Sequence, residues 1–165
     1  RPGMFARTIG TAATVDDAVA NNDYIEISVS PDVNYALNLT GVSFDSLLQF
    51  SQNGTMTSTI QLRSSVDGFS SSLGDLTRSL TSAYGAGVDA GTPWNYDMLT
   101  LGSGFDNLTG PVQFRLYFAD NIDLESAVIR LDNIQIHGST ALIPEPASLV
   151  LLAMGSLLTL SRRRG

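Results

Sequence analysis

The run Val112-Gln-Phe-Arg-Leu-Tyr-Phe118 places Val112, Phe114, Leu116 and Phe118 on one side of an extended chain and Gln113, Arg115 and Tyr117 on the other. A period of two marks a strand with one face in a core. A second run, Ala127-Val-Ile-Arg-Leu-Asp-Asn-Ile-Gln-Ile136, begins the same way with Ala127, Ile129 and Leu131. It resumes at Ile134 and Ile136, one residue out of step. An alternating pattern changes phase only where a residue is inserted, so a bulge at Asp132-Asn133 is expected.

The same period recurs upstream. Tyr24-Ile-Glu-Ile-Ser-Val29 alternates, and Ser30-Pro31-Asp32 reads as a turn. Val33 to Leu39 puts Tyr35, Leu37 and Leu39 on one face, and Gly41 interrupts before Val42 to Phe50. Spacing changes after Asp45, which suggests a bulge or turn at Asp45-Ser46. Gln52-Asn53-Gly54 is the best hairpin signal, because Asn-Gly accepts the positive φ of a tight turn. Thr55 to Ser64 then carries Met56, Ile60 and Leu62 inward and Thr57, Thr59, Gln61 and Arg63 outward. Ser65 to Ser70 is a further turn region, and a strand is expected near Leu76 to Thr81.

Ala83 to Gly110 is glycine-rich and reads as loop, pinned to the core through Trp94, Tyr96, Leu99, Leu101 and Phe105. Residues 1–22 lack firm periodicity. Val15 to Ala20 allows a turn of helix, but the segment reads as a poorly structured remnant of a truncated N-terminus. Seven to nine short strands without helical crossovers predict an all-β fold, an antiparallel β-sandwich of jelly-roll type over residues 23–139. A linker is expected over 140–146, a short transmembrane helix over 147–161 and a basic cytoplasmic tail over 162–165.

Charge narrows the function. All nine basic residues are Arg, and none of the 165 residues is Lys or Cys. Before Pro144, six Arg face fifteen carboxylates, a net charge of −9. A surface that acidic repels phosphate backbones and argues against nucleic acid as a partner. No thiolate metal site or disulfide framework can be built.

Few residues suggest chemistry. His137 is the single histidine and lies on the expected last strand, facing out opposite Ile134 and Ile136. Ser–His–Asp catalysis would need partners that no G-x-S-x-G elbow supplies. Asp67, Asp132 and Asn133 are oxygen ligands of the kind calcium takes, but their spacing matches no EF-hand, and turn chemistry accounts for them. Structural calcium is therefore a secondary expectation, and no cofactor is expected. Asp120, Asp123 and Glu125 form an acidic loop, where a glycosidase would need two carboxylates facing across a sugar. Trp94 and Tyr96, with Tyr84, are the candidate sugar contacts, since exposed aromatics stack on sugar rings.

Beyond these strands, Ile143-Pro-Glu-Pro-Ala147 opens an apolar run to Leu160, followed by Ser161-Arg162-Arg163-Arg164-Gly165. Ala147 to Leu160 would give about 21 Å of helix at ~1.5 Å per residue. A bilayer core is ~30 Å, so the span is short and leans on snorkelling arginines. Arginines after a span hold that end in the cytoplasm, which leaves the sandwich outside.

In its order of motif, span and basic cluster, this stretch resembles a PEP-CTERM sorting signal. The sandwich segments Ser64 to Phe69, Val112 to Tyr117 and Arg130 to Gly138 are similar to ectodomains that precede such tails. The resemblance implies an exported bacterial protein of the cell surface or exopolysaccharide matrix. A membrane-embedded exosortase would recognise Pro144, Glu145 and Pro146 as substrate residues and cleave near them. The expected role is structural or adhesive and non-enzymatic. A carbohydrate-binding module and a polysaccharide-active enzyme are the alternatives.

Overall fold

The computed structural model describes residues 4–6, 12–50, 53–82, 94–122 and 127–144. Eight strands follow in order, with one helix: β1 (Met4–Ala6), α1 (Val15–Asn21), β2 (Tyr24–Val29), β3 (Tyr35–Phe50), β4 (Gly54–Ser64), β5 (Gly74–Ser82), β6 (Asn95–Thr100), β7 (Val112–Asp120) and β8 (Ala127–Leu142). They form two four-stranded antiparallel sheets, β1-β8-β3-β6 and β2-β7-β4-β5. The all-β sandwich read from the sequence is the fold observed.

The core lies between the sheets. Phe44, Ile129 and Leu131 of the first sheet meet Met56, Leu62, Phe114 and Leu116 of the second, all fully buried. Each such side chain removed from water contributes about 1.5–3 kcal/mol. Phe105, on a 3₁₀ turn at Ser103–Phe105, stacks on Phe114 at 5.8 Å and closes one end of the core.

The longest ladder, β3 on β8, contains two register shifts. One lies where Asp45 pairs Asp132 but Ser43 pairs Gln135, leaving an extra residue on β8. Asn133 takes up the kink with φ 52°, as the phase change between Leu131 and Ile134 predicts. The other lies at Thr40, which is exposed while Leu39 and Val42 on either side of the shift are buried. An irregularity does lie beside Asp45, as expected, but its extra residue is on β8; the residue inserted in β3 itself is Thr40, not Asp45 or Ser46. The break expected at Gly41 is also absent, since a bulge lets one strand change phase without ending.

Three further readings change. Residues 1–22 are not uniformly unstructured: Thr14 caps α1 by accepting from the Asp17 amide at 3.2 Å, and Asn22 ends it in the left-handed region. Ala18 is fully buried, with Ala12 and Tyr117, against the outer face of the second sheet. The Met4–Ala6 strand adds to the edge of β8. Within the expected loop 83–110, β6 is a strand paired along β3. The sandwich also continues past Ser139, because β8 keeps its ladder through Ala141 and Leu142 into the expected linker.

Among the described residues, no helix is long and apolar enough to cross a membrane. The helix expected at 147–161 lies outside them, as do Glu145, Pro146, Arg162, Arg163 and Arg164.

Candidate functional site

Both outer sheet faces and the exit of β8 carry the predicted residues. On the first sheet, Tyr96 and Met98 of β6 are 63 % and 45 % exposed, and the Tyr96 hydroxyl points to the Met98 sulfur at 3.8 Å. Trp94 is half-buried just before β6. Tyr84 lies outside the described residues.

His137 is on this outer face, as its alternation indicates, but it is half-buried. Its Nε2 lies 2.6 Å from the Ser43 hydroxyl, a contact linking residues 94 apart in the chain. Ser43 is only 1 % exposed. A nucleophile needs an open approach and its base a third group to orient it. Among the described residues no carboxylate is bonded to His137, and a substrate cannot reach Ser43 as it stands. Sequence reasoning could not find this pair, because the Thr40 shift decides which β3 residue meets His137.

The cation candidates are apart and already engaged. Asp67 Oδ2 accepts from the Ser70 hydroxyl and the Ser71 amide, each at 3.0 Å. Desolvation works to raise its pKa, but these hydrogen bonds outweigh it and hold the carboxyl below its ordinary value. On β8, the Asn133 amide donates to Asp132 Oδ1 at 2.8 Å, and Asn133 Nδ2 donates to Asp45 Oδ2 at 2.6 Å. These bonds lock the bulge. Among the described residues no three acidic or imidazole side chains converge as a metal site would require.

The acidic loop divides similarly. Asp123 and Glu125 lie outside the described residues. Asp120 is buried at the end of β7, where it accepts from the Ile122 amide at 2.8 Å. Next to it, Asn121 clamps β4, accepting from the Thr57 amide at 2.6 Å and donating to the Thr55 carbonyl at 3.1 Å.

The second sheet displays what the sequence reading overlooked. Across β4 and β5, Thr55 pairs with Thr81 at 2.9 Å, Thr57 with Ser79 at 2.9 Å and Thr59 with Thr77 at 3.0 Å. Six hydroxyls thus stand as three hydrogen-bonded pairs, repeating about every 6.8 Å along the strands. Beside them, Ala13, Thr14 and Val15 of the α1 approach wall a groove of about 310 Å³ that ends at Asn121. The alternating Thr55-x-Thr57-x-Thr59 was a visible signal, but its partner row needed the register. Further along the face, the Arg115 guanidinium lies between Tyr24 and Phe69, 4.2 and 3.7 Å from their ring centroids. It also donates to Glu26 at 2.9 Å.

At the end of β8, Pro144 is exposed. Ile143 is tied back by its amide to the Asn34 carbonyl at 2.8 Å. No family model matches this chain, and no curated protein matches it closely enough to report.

Proposed function

We propose that this chain is an exported structural or adhesive protein of the bacterial cell surface or exopolysaccharide matrix, without catalytic activity. Its sandwich stands outside the cytoplasm while a PEP-CTERM-type tail holds it in the membrane. An exosortase then cuts near Pro144, Glu145 and Pro146. Residues 147–161 are the transmembrane helix of this reading, and Arg162, Arg163 and Arg164 orient it.

The carrying observation is the order of motif, apolar run and arginines, set directly after a strand that delivers Pro144 exposed. A protease must bind its substrate extended and accessible, and the two prolines keep the motif out of a helix. The strand order 1-8-3-6 against 2-7-4-5 supports a jelly roll for the sandwich. Mass spectrometry of the exported protein tests the reading and should find a C-terminus near Pro144. Arg164 retained on the exported form would refute it.

The hydroxyl rows of β4 and β5 favour a second reading, a carbohydrate-binding module. Uncharged donors and acceptors at regular spacing match the hydroxyls of a polysaccharide, with the neighbouring groove beside them. In this reading the contact lies at Thr57, Thr59, Thr77 and Ser79 rather than at Trp94 and Tyr96. A glycan array in which Thr57→Val lowers retention would support it, and a blank array for the parent would end it.

A further inference from the structure

We infer that the end of the sandwich at the β3 start and β8 exit is a collar that seats in the interface of a zwitterionic lipid bilayer. The inference rests on the tail reading above and adds a membrane contact made by the folded domain itself. Val33, Tyr35, Leu142 and Ile143 are 85 %, 36 %, 68 % and 40 % exposed. They are four of the seven large apolar side chains exposed among the described residues, and they lie together. Tyr35 pairs Leu142 in the ladder, and Ile143 bonds back to Asn34, between Val33 and Tyr35.

The collar exists because the sheets differ in length. At ~3.3 Å per residue, the sixteen-residue β3 and β8 run about 53 Å, against about 36 Å for the eleven-residue β4. Tyr35 continues the phase of the buried Leu37 and Leu39 past the end of the core. An aromatic with one apolar and one wet end suits the headgroup level.

What identifies lipid as the occupant is the chain that follows. Only three residues separate Ile143 from Ala147, so Ile143 of the collar lies within about 14 Å of the apolar run. That run gives about 21 Å of helix for a core of ~30 Å, and a short span draws flanking apolar groups towards the bilayer. The net −9 before Pro144 disfavours anionic headgroups, hence the zwitterionic surface.

The chain has no cysteine, so single labelling sites are clean. Full-length protein with Val33→Cys carrying the fluorophore NBD is reconstituted in phosphatidylcholine vesicles, with Ser79→Cys as the distant control. Flotation reports whether the chain is membrane-bound. The expected result is flotation of both, with a blue shift and strong quenching by shallow doxyl lipids at position 33 alone. Flotation with a water-exposed probe at 33 overturns the collar and leaves the tail reading intact. Failure to float overturns the tail reading, and the collar falls with it. A blue shift at 33 without vesicles would mean that residues 147–160 fold back on the collar, which also overturns the lipid assignment.

Discussion

Removal of the Asp97 carboxylate should weaken the sandwich more than any other single polar change. Asp97 points inward from β6 and is 7 % exposed, while Arg78 points inward from β5 on the opposite sheet. Their charged hydrogen bond crosses between the sheets, and the Ser46 hydroxyl donates to the second carboxylate oxygen at 2.7 Å. Removing one partner of a buried pair costs about 3–5 kcal/mol, whereas a surface pair is worth about 0–1 kcal/mol. The Arg78 side chain is 28 % exposed and can partly rehydrate. Asp97→Ala should therefore cost about 2–3 kcal/mol, or about 6–9 °C in Tm for a domain of this size. Arg78→Leu with Asp97→Leu should regain most of it, because apolar replacement of both partners leaves no buried charge. Urea unfolding of the parent, Arg78→Leu, Asp97→Leu and the double gives the coupling. A loss below about 0.5 kcal/mol for Asp97→Ala, or a double that loses the sum of the singles, would refute the reasoning.

Two further outcomes follow from the geometry. Gly138 faces Leu39, and a Cβ there would strike the Asn38 carbonyl and stand 3.0 Å from the Leu39 Cα. Gly138→Ala should cost about 1–3 kcal/mol in urea unfolding, while Gly102→Ala, with open space around it, should cost far less. Asp67 has a depressed pKa in the folded state, so its stabilisation is complete above the ordinary carboxylate pKa and is lost as pH falls through the lower folded value. Asp67→Asn should flatten the fall in stability below about pH 4, and an unchanged acid limb would count against the Ser70 and Ser71 bonds.

The readability of the chain varied with what each strand buries. Strands β2 and β7 were legible because every inward position is apolar, from Ile25 to Val29 and from Val112 to Phe118. The Asn133 bulge was legible because a phase slip between Leu131 and Ile134 has one physical cause. Strand β6 was missed and β5 only outlined for a shared reason: the inward alternation of each is broken by a charge, Asp97 in one and Arg78 in the other. Each charge is tolerable inside only because the other faces it across the sandwich, and no local pattern contains that fact. The Ser43–His137 contact and the hydroxyl rows were hidden likewise, since both depend on pairing register. The α1 helix is too short for a periodic signal and is fixed instead by its two caps and Ala18.

The position of the Arg78–Asp97 pair has a consequence for how copies of this chain could associate. Among the described residues, β5 and β6 are the outermost strands of their sheets on one side, and an edge strand is where a passing extended chain can add. A charge buried beneath each of these strands makes them poor templates for a continued cross-β stack, because every added layer would have to bury another charge. The pair that hid these strands from sequence reading thus also acts against fibre growth along that side.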